Sequence, residues 1–272
     1  MSNVISGYVD DPTKAYLVAN GFRHWITNPA ILEQCAVSFV GKARSLEPEG
    51  RPVMAARDFA AIKHLQGDGI EIGALHCPSV LPPSARARYV DYISAQEARS
   101  RYPDLTIAGD VVVDDGEDLA KFAESSLDFI VANHFLEHTR NPLGVIRTHL
   151  RKLKPGGKLL YALPDKRHSF DHARPITSFQ HLVADDQHGW DLSDRAHYLE
   201  YVRYVDKLTD PKAIEAHACV LKNMDNRIHF HVWDADAIRE MFSAAVAYLD
   251  YGFIVADVFE ADHEVVTVLC KC

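Results

Sequence analysis

Leu127-Asp128-Phe129-Ile130-Val131-Ala132-Asn133-His134-Phe135-Leu136-Glu137-His138-Thr139-Arg140-Asn141-Pro142, followed by Leu153-Lys154-Pro155-Gly156-Gly157, is the stretch that decides the fold. Leu127 to Ala132 reads as a short apolar strand. From Pro142 to Leu153, Leu143, Val145, Ile146, Leu150 and Leu153 recur at helical spacing. That helix closes with basic residues, then proline and glycine, which stop it. A further strand, Lys158 to Leu163, follows at once.

Working outward, the same alternation continues on both sides. Gly69 to Gly73, Arg88 to Ile93 and Asp110 to Asp115 read as strands, with a helix from Ala95 to Tyr102 between the last two. Downstream, a helix from Ala235 to about Tyr248 precedes strands Phe253 to Phe259 and Glu264 to Lys271. Strands alternating with helices at this pitch imply a parallel sheet with helices on both faces. Residues 166–230 break the rhythm: they are polar and rich in His and Asp, with one helix at about Asp194 to Lys207. They read as an insertion at the carboxyl edge of the sheet. Residues 1–68 show no chemistry, and Trp25 to Lys42 and Val53 to Leu65 read as helices in front of a domain spanning 69–272.

Composition excludes several classes. At 272 residues and 47% hydrophobic content the chain can bury a substantial core. Its formal charge of −9 does not suit a non-specific nucleic-acid binder, so no nucleic-acid partner is expected. No stretch approaches the roughly 18 apolar residues of a membrane span, and Met1-Ser2-Asn3-Val4 lacks the start of a signal peptide. Cys35, Cys77, Cys219, Cys270 and Cys272 are scattered with no CxxC spacing, as expected of reduced thiols in a cytoplasmic protein. The oligomeric state is not fixed by the sequence, and a homodimer is compatible with it.

With these residues in place, the chain resembles the class I S-adenosylmethionine-dependent methyltransferases, in the group with a short E-x-G first motif. Glu71-Ile72-Gly73, the D-x-I…E-H…N-P pattern of residues 128–142 and Leu153-Lys154-Pro155-Gly156-Gly157 carry the resemblance, over residues 69–165 and the last two strands. It implies a Rossmann-like, doubly wound α/β fold: a mostly parallel seven-stranded sheet, a helical N-terminal segment and an insertion after strand 5. It also implies S-adenosylmethionine at the carboxyl ends of the strands. Glu71, Gly73, Ala74 and Leu75 would flank the amino acid end of the cofactor, and Asp91 would accept from the ribose hydroxyls. Asp115 with Gly116 would meet the adenine, while Asn133 and His134 would lie near the methyl group. One departure stands out. The loop Gly73-Ala74-Leu75-His76-Cys77-Pro78 has one glycine where the family commonly has two or three, so Ala74 and Leu75 are placed to crowd a cofactor.

The chain leaves the fifth strand through Asp165-Lys166-Arg167-His168 and continues through Asp171 and Arg174, similar to a pattern in bacterial methyltransferase-like proteins associated with surface-glycan assembly. Asp165 and Asp171 are therefore candidates for the reacting end of the site. Eight of the 15 histidines fall between His168 and His231. One of them could be a general base, for which His181 and His197 come first and His229 and His231 after. Several with Asp171 or Asp185 could instead hold a divalent metal, or they could be solvated loop residues. A metal is admitted but not favoured, because no HExxH or zinc-finger spacing is present. Lys166, Arg167 and Arg174 could hold an anionic substrate.

The expectation is thus transfer of a methyl group from S-adenosylmethionine to an oxygen or nitrogen of a small polar acceptor, a sugar, nucleotide sugar or glycan among them. The rivals are a methyltransferase-like binding module without catalysis and a metal-dependent enzyme built on the His/Asp-rich insertion.

Overall fold

The computed structural model describes residues 56–272 other than Ala108, Asp110 and Asp262, together with four short strands before them. Those strands are β1 (Ile5–Gly7), β2 (Ala15–Ala19), β3 (Phe22–Ile26) and β4 (Phe39–Lys42), in the order β3-β2-β1-β4. This corrects the helical reading of Trp25 to Lys42. Both ends of that stretch lie in strands, and its middle, with Cys35, is outside the described residues. The two residues between β2 and β3 are Asn20-Gly21, the dipeptide that most strongly signals a hairpin. The second expected helix is found as α1 (Ala56–His64), its first expected residues again falling outside the described set.

From Gly67 on, strands and helices alternate as expected. β5 (Gly67–Ile72), β6 (Ala85–Asp91), α2 (Ala95–Arg101), β7 (Val111–Val113) and β8 (Leu127–Asn133) lead to α3 (Pro142–Lys152) and β9 (Leu153–Pro164). Asp110, expected to open the third strand, is outside the described residues. The strands form a seven-stranded sheet in the order β10-β11-β9-β8-β5-β6-β7, with β10 (Phe253–Ala261) and β11 (Glu264–Lys271). β5 to β9 pair in parallel, while β11 runs antiparallel to both β9 and β10.

The central strands are apolar on both faces because both are covered. Ile130 and Ala132 of β8, with Leu159 and Tyr161 of β9, join one core with Leu143 and Ile146 of α3 and Phe242 of α7 (Ala235–Leu249). Phe129 and Val131, with Leu160 and Ala162, join the other core, with Ala60 and Ala61 of α1. The chain runs from β5 outward through β6 to β7, then returns to lay β8 against the free side of β5. The carboxyl ends of β5 and β8 therefore flank the switch point, where ligands bind in open α/β sheets.

The insertion is more helical than its composition suggests. It holds α4 (Phe179–His188), α5 (Asp191–Tyr204) and α6 (Pro211–Asn223). Ser178 caps α4 by accepting from the His181 N–H, and Asp210 caps α6 by accepting from Ala213 N–H ahead of Pro211 at the first position. Tyr198, Val202, Ile214, Ala218, Ile228 and Phe230 make its own small core. Arg140, just after the Glu137-His138 pair, pins it to the sheet: its guanidinium pairs with Asp194 and Asp225 and lies over Trp190 and Phe230. Among the described residues no helix is long and apolar enough to cross a membrane.

Candidate active site

A cavity of about 790 Å³ opens at the switch point, bordered by Gly73, Asp91, Asp115, Gly116, Phe135 and His138. Each of these comes from a loop or strand end at the carboxyl edge of β5, β6, β7 or β8. Asp91 ends β6 half-buried, and one carboxylate oxygen accepts from Ile93 N–H at 3.2 Å. Burial raises its pKa. Asp115 is exposed and folds its turn by accepting from Glu117 N–H at 2.8 Å. Glu117 in turn pairs with Arg227 at 2.6 Å, which closes the cavity from the insertion side.

Gly116 is required by space. A Cβ there would stand 2.7 Å from Ile72 Cγ2 and 2.9 Å from the Phe135 ring. Its carbonyl is bonded to Nε2 of buried His149 at 2.7 Å, and His149 Nδ1 meets the Tyr161 hydroxyl at 2.8 Å. A carbonyl only accepts, so Nε2 carries the proton and Nδ1 accepts from the tyrosine. Burial drives this imidazole down to about 4, which keeps it neutral.

The glycine-poor loop does not crowd the cavity. Gly73 takes φ +67° with open space around a hypothetical Cβ. Leu75 adopts φ 46° and packs with Ile93, Ala98 and Ile107, and Ala74 is buried beside them. Neither borders the large cavity. Glu71 also differs from its expected place at the cofactor. It is buried beneath the loop, where its carboxylate accepts from Ser79 N–H and Oγ–H, the latter at 2.8 Å, and from Asn133 Nδ2 at 3.3 Å. Burial, against these donors, pushes its pKa up to about 7. Glu71 and Asn133 thus shape the loop from behind.

His134 leaves β8 with a left-handed backbone, φ 50°. Its Nε2 lies 3.0 Å from Glu264 and its Nδ1 3.6 Å from Glu137, both carboxylates being buried. Burial alone would lower this imidazole, but the two carboxylates outweigh it and hold it up to about 9. His134 is therefore a cation at neutral pH, with both ring nitrogens protonated and no free lone pair to serve as a base.

His229, which the sequence places after His181 and His197 as a candidate base, is oriented by a buried carboxylate, although it too stands behind the cavity lining. His229 Nδ1 meets Asp171 Oδ2 at 2.6 Å, and Arg174 donates to the other oxygen of Asp171 at 2.8 Å. His229 packs edge-on to His138, ring centroids 4.6 Å apart, and His138 borders the cavity. His138 stands inside the most diagnostic motif, and that position was the signal that could have led to both.

The remaining expected residues are occupied elsewhere. Arg174 has no exposed surface: it serves Asp171, Glu200 and the His229 carbonyl. Lys166 donates to the Arg174 carbonyl. Arg167 is half-exposed but clasps Asp165, its Nε 2.9 Å from Oδ2, while Asp165 caps the short turn that follows β9. These two border a separate recess of about 350 Å³ with His168 and Glu264. His181 and His197 are together, their Nε2 atoms 3.1 Å apart, but neither borders the cavity.

The fold and the cavity define an enzyme domain of the Rossmann-like type. A sequence family described as "Methyltransferase domain" matches residues 69–245. The chain belongs to this family and is a methyltransferase, and the family implies S-adenosylmethionine as its cofactor. No curated protein matches it in sequence. Solved structures similar to it include a possible exported protein from Bordetella parapertussis (14% identity, TM-score 0.42), where 79% of this chain covers 65% of that one, just under two thirds. A Rhodobacter sphaeroides protein named for Zn-dependent alcohol dehydrogenases gives 13% identity and TM-score 0.46, over 82% of this chain and 92% of that one. A protein from Thermotoga maritima described as a SAM-dependent methyltransferase, possible histamine N-methyltransferase, gives 14% and 0.41, over 79% and 88%.

The residues present suit this cofactor. The cavity lies within the range of small-molecule sites. Asp91, Asp114, Asp115 and Glu117 give it the acidic wall that favours a sulfonium, and the space at Gly73 is clear. Asp91 would hold the ribose hydroxyls and Asp115 the adenine edge.

Proposed function

We propose that the chain transfers the methyl group of S-adenosylmethionine to an oxygen or nitrogen of a small polar acceptor, with His229 as general base. When bound, S-adenosylmethionine supplies an electrophilic methyl on a sulfonium. The observation that carries the assignment of the base is the Asp171–His229 contact beside His138 at the cavity wall. Asp171 holds the Nδ1 proton, which leaves Nε2 to take the proton of an acceptor O–H or N–H. The acceptor class favoured by the likeness of the insertion is a sugar, nucleotide sugar or glycan. The packing of Ala74 and Leu75 away from the cavity supports cofactor binding over the rival reading of an inactive binding module.

The test is calorimetric titration with S-adenosylmethionine and S-adenosylhomocysteine, followed by labelled methyl transfer to a panel of hydroxylated acceptors. Binding that is lost in Asp91→Ala, with label moving to a sugar-type acceptor, supports the proposal. Absence of binding at millimolar cofactor would sink it.

A further inference from the structure

Four side chains of the insertion converge at a point that the methyl-transfer site does not use. His181 and Asp185 lie one turn apart on α4, His197 comes from α5, and His231 from the segment before α7. One donor atom from each falls within a group no more than 4.8 Å across. His181 Nε2 is 3.1 Å from His197 Nε2 and 3.1 Å from Asp185 Oδ2. A zinc ion with bonds of about 2.0–2.2 Å to tetrahedral ligands places neighbouring donor atoms roughly 3.3 Å apart.

Hydrogen bonding alone leaves this group unsatisfied. Asp185 Oδ2 and His231 Nδ1 are both buried with no hydrogen-bond partner. One shared proton between His181 and His197 supplies neither of them, and buried polar atoms without partners are uncommon. A cation at the centre satisfies all four donors together.

The outer contacts match what a ligand set requires. Ser193 Oγ–H donates to Asp185 Oδ1 at 2.7 Å, which leaves Oδ2 turned toward the histidines. His231 Nε2 faces the Arg140 carbonyl at 3.4 Å, which leaves Nδ1 as its donor atom. The His197 ring packs edge-on against Phe230, centroids 6.0 Å apart. Partners of this kind fix the tautomer and orientation of metal ligands.

We propose that His181, Asp185, His197 and His231 bind one divalent transition-metal ion, zinc by its donor set, in a closed structural site. Imidazole nitrogens with one carboxylate suit zinc. Four protein donors fill its tetrahedral shell, so the ion serves as a clip and not as a Lewis acid for the acceptor. It ties α4 and α5 to the segment that carries His229, two residues before His231. The assignment stands whether or not the acceptor is a sugar and whether or not His229 is the base.

The test uses the full chain, purified without chelator from zinc-supplemented growth. Metal analysis is expected to find about one equivalent of zinc per chain. After stripping with dipicolinate, refilling with Co²⁺ is expected to give the intense visible absorption of tetrahedral coordination. The melting temperature of the stripped chain is expected to rise with zinc and not with magnesium. Asp185→Asn and His231→Gln should lose the metal, while His172→Ala, at an exposed histidine of the same insertion, should keep it. His181→Ala removes the most exposed of the four and guards against a variant that fails to fold, with circular dichroism as the check. A stripped chain that takes up neither zinc nor cobalt would overturn the proposal, as would uptake by folded variants equal to that of the unaltered chain.

Discussion

His134 shows how much a single residue is set by what surrounds it. Its backbone takes φ 50°, uncommon for a residue with a side chain, and its ring is wedged between two buried carboxylates. Its folded pKa of about 9 lies above the ordinary 6.5. The stability it contributes is therefore complete below pH 6.5 and fades as pH rises through 9. Glu264 is shifted the other way: burial would raise it, but His134 and Arg57 hold it below 4.5, so its contribution is lost in acid. Denaturation curves between pH 6.5 and 9 should show falling stability that flattens in His134→Gln. In the insertion, His229→Gln and Asp171→Asn are expected to lower kcat by about 10²- to 10⁴-fold while the calorimetric Kd for the cofactor holds. A matching loss of cofactor binding would instead give these residues a structural role. Residue types were readable in the sequence, but their partners were not. Glu71 looked like a ligand acid and is a loop anchor because Ser79, eight residues on, folds over it.

Among the elements, the turn after β7 is the most constrained. Gly116→Ala would press a methyl group onto Ile72 and Phe135. A cost of about 1–3 kcal/mol in denaturant titration is expected, with weaker cofactor binding because the turn borders the cavity. Asp210→Ala removes the cap of α6 and should cost about 0.5–2 kcal/mol, with no change in cofactor affinity. The strands of the large sheet were legible since covered faces demand apolar runs, and α3 was legible from its proline start and its spacing. α4 was hidden by its load of histidine and aspartate. The signs of α6 were present in Asp210-Pro211 and in Ile214 and Ala218 four apart, but a polar context masked them. The strands before residue 43 were misread because short, mixed stretches fit either period, and Asn20-Gly21 was the overlooked arbiter.

For the molecule as a whole, sequence spacing conveys what is local and loses what is brought together by topology. The large cavity is lined by consecutive strand ends, so Asp91, Asp115 and Gly73, which border it, sit at positions that the strand pattern marks. The contacts of the insertion join residues 58 apart in Asp171 and His229, and 91 apart where Arg140 meets His231. No local pattern encodes those meetings. The same holds for His181 and His197, placed on neighbouring helices whose existence was only half apparent.

The position of β11 has a consequence for synthesis. It follows every other strand of the large sheet in the chain, yet it lies inside, between β9 and β10, where Val265, Val266, Val268 and Leu269 are buried on both faces. While the chain is being made, β9 waits with a bare row of amides and carbonyls along its flank, and one side of each core stays uncovered. Such an unpaired edge is a template for other chains. The sheet thus closes only with the arrival of eight residues, Glu264–Lys271, and a chain stalled before them is expected to aggregate more readily than the finished one.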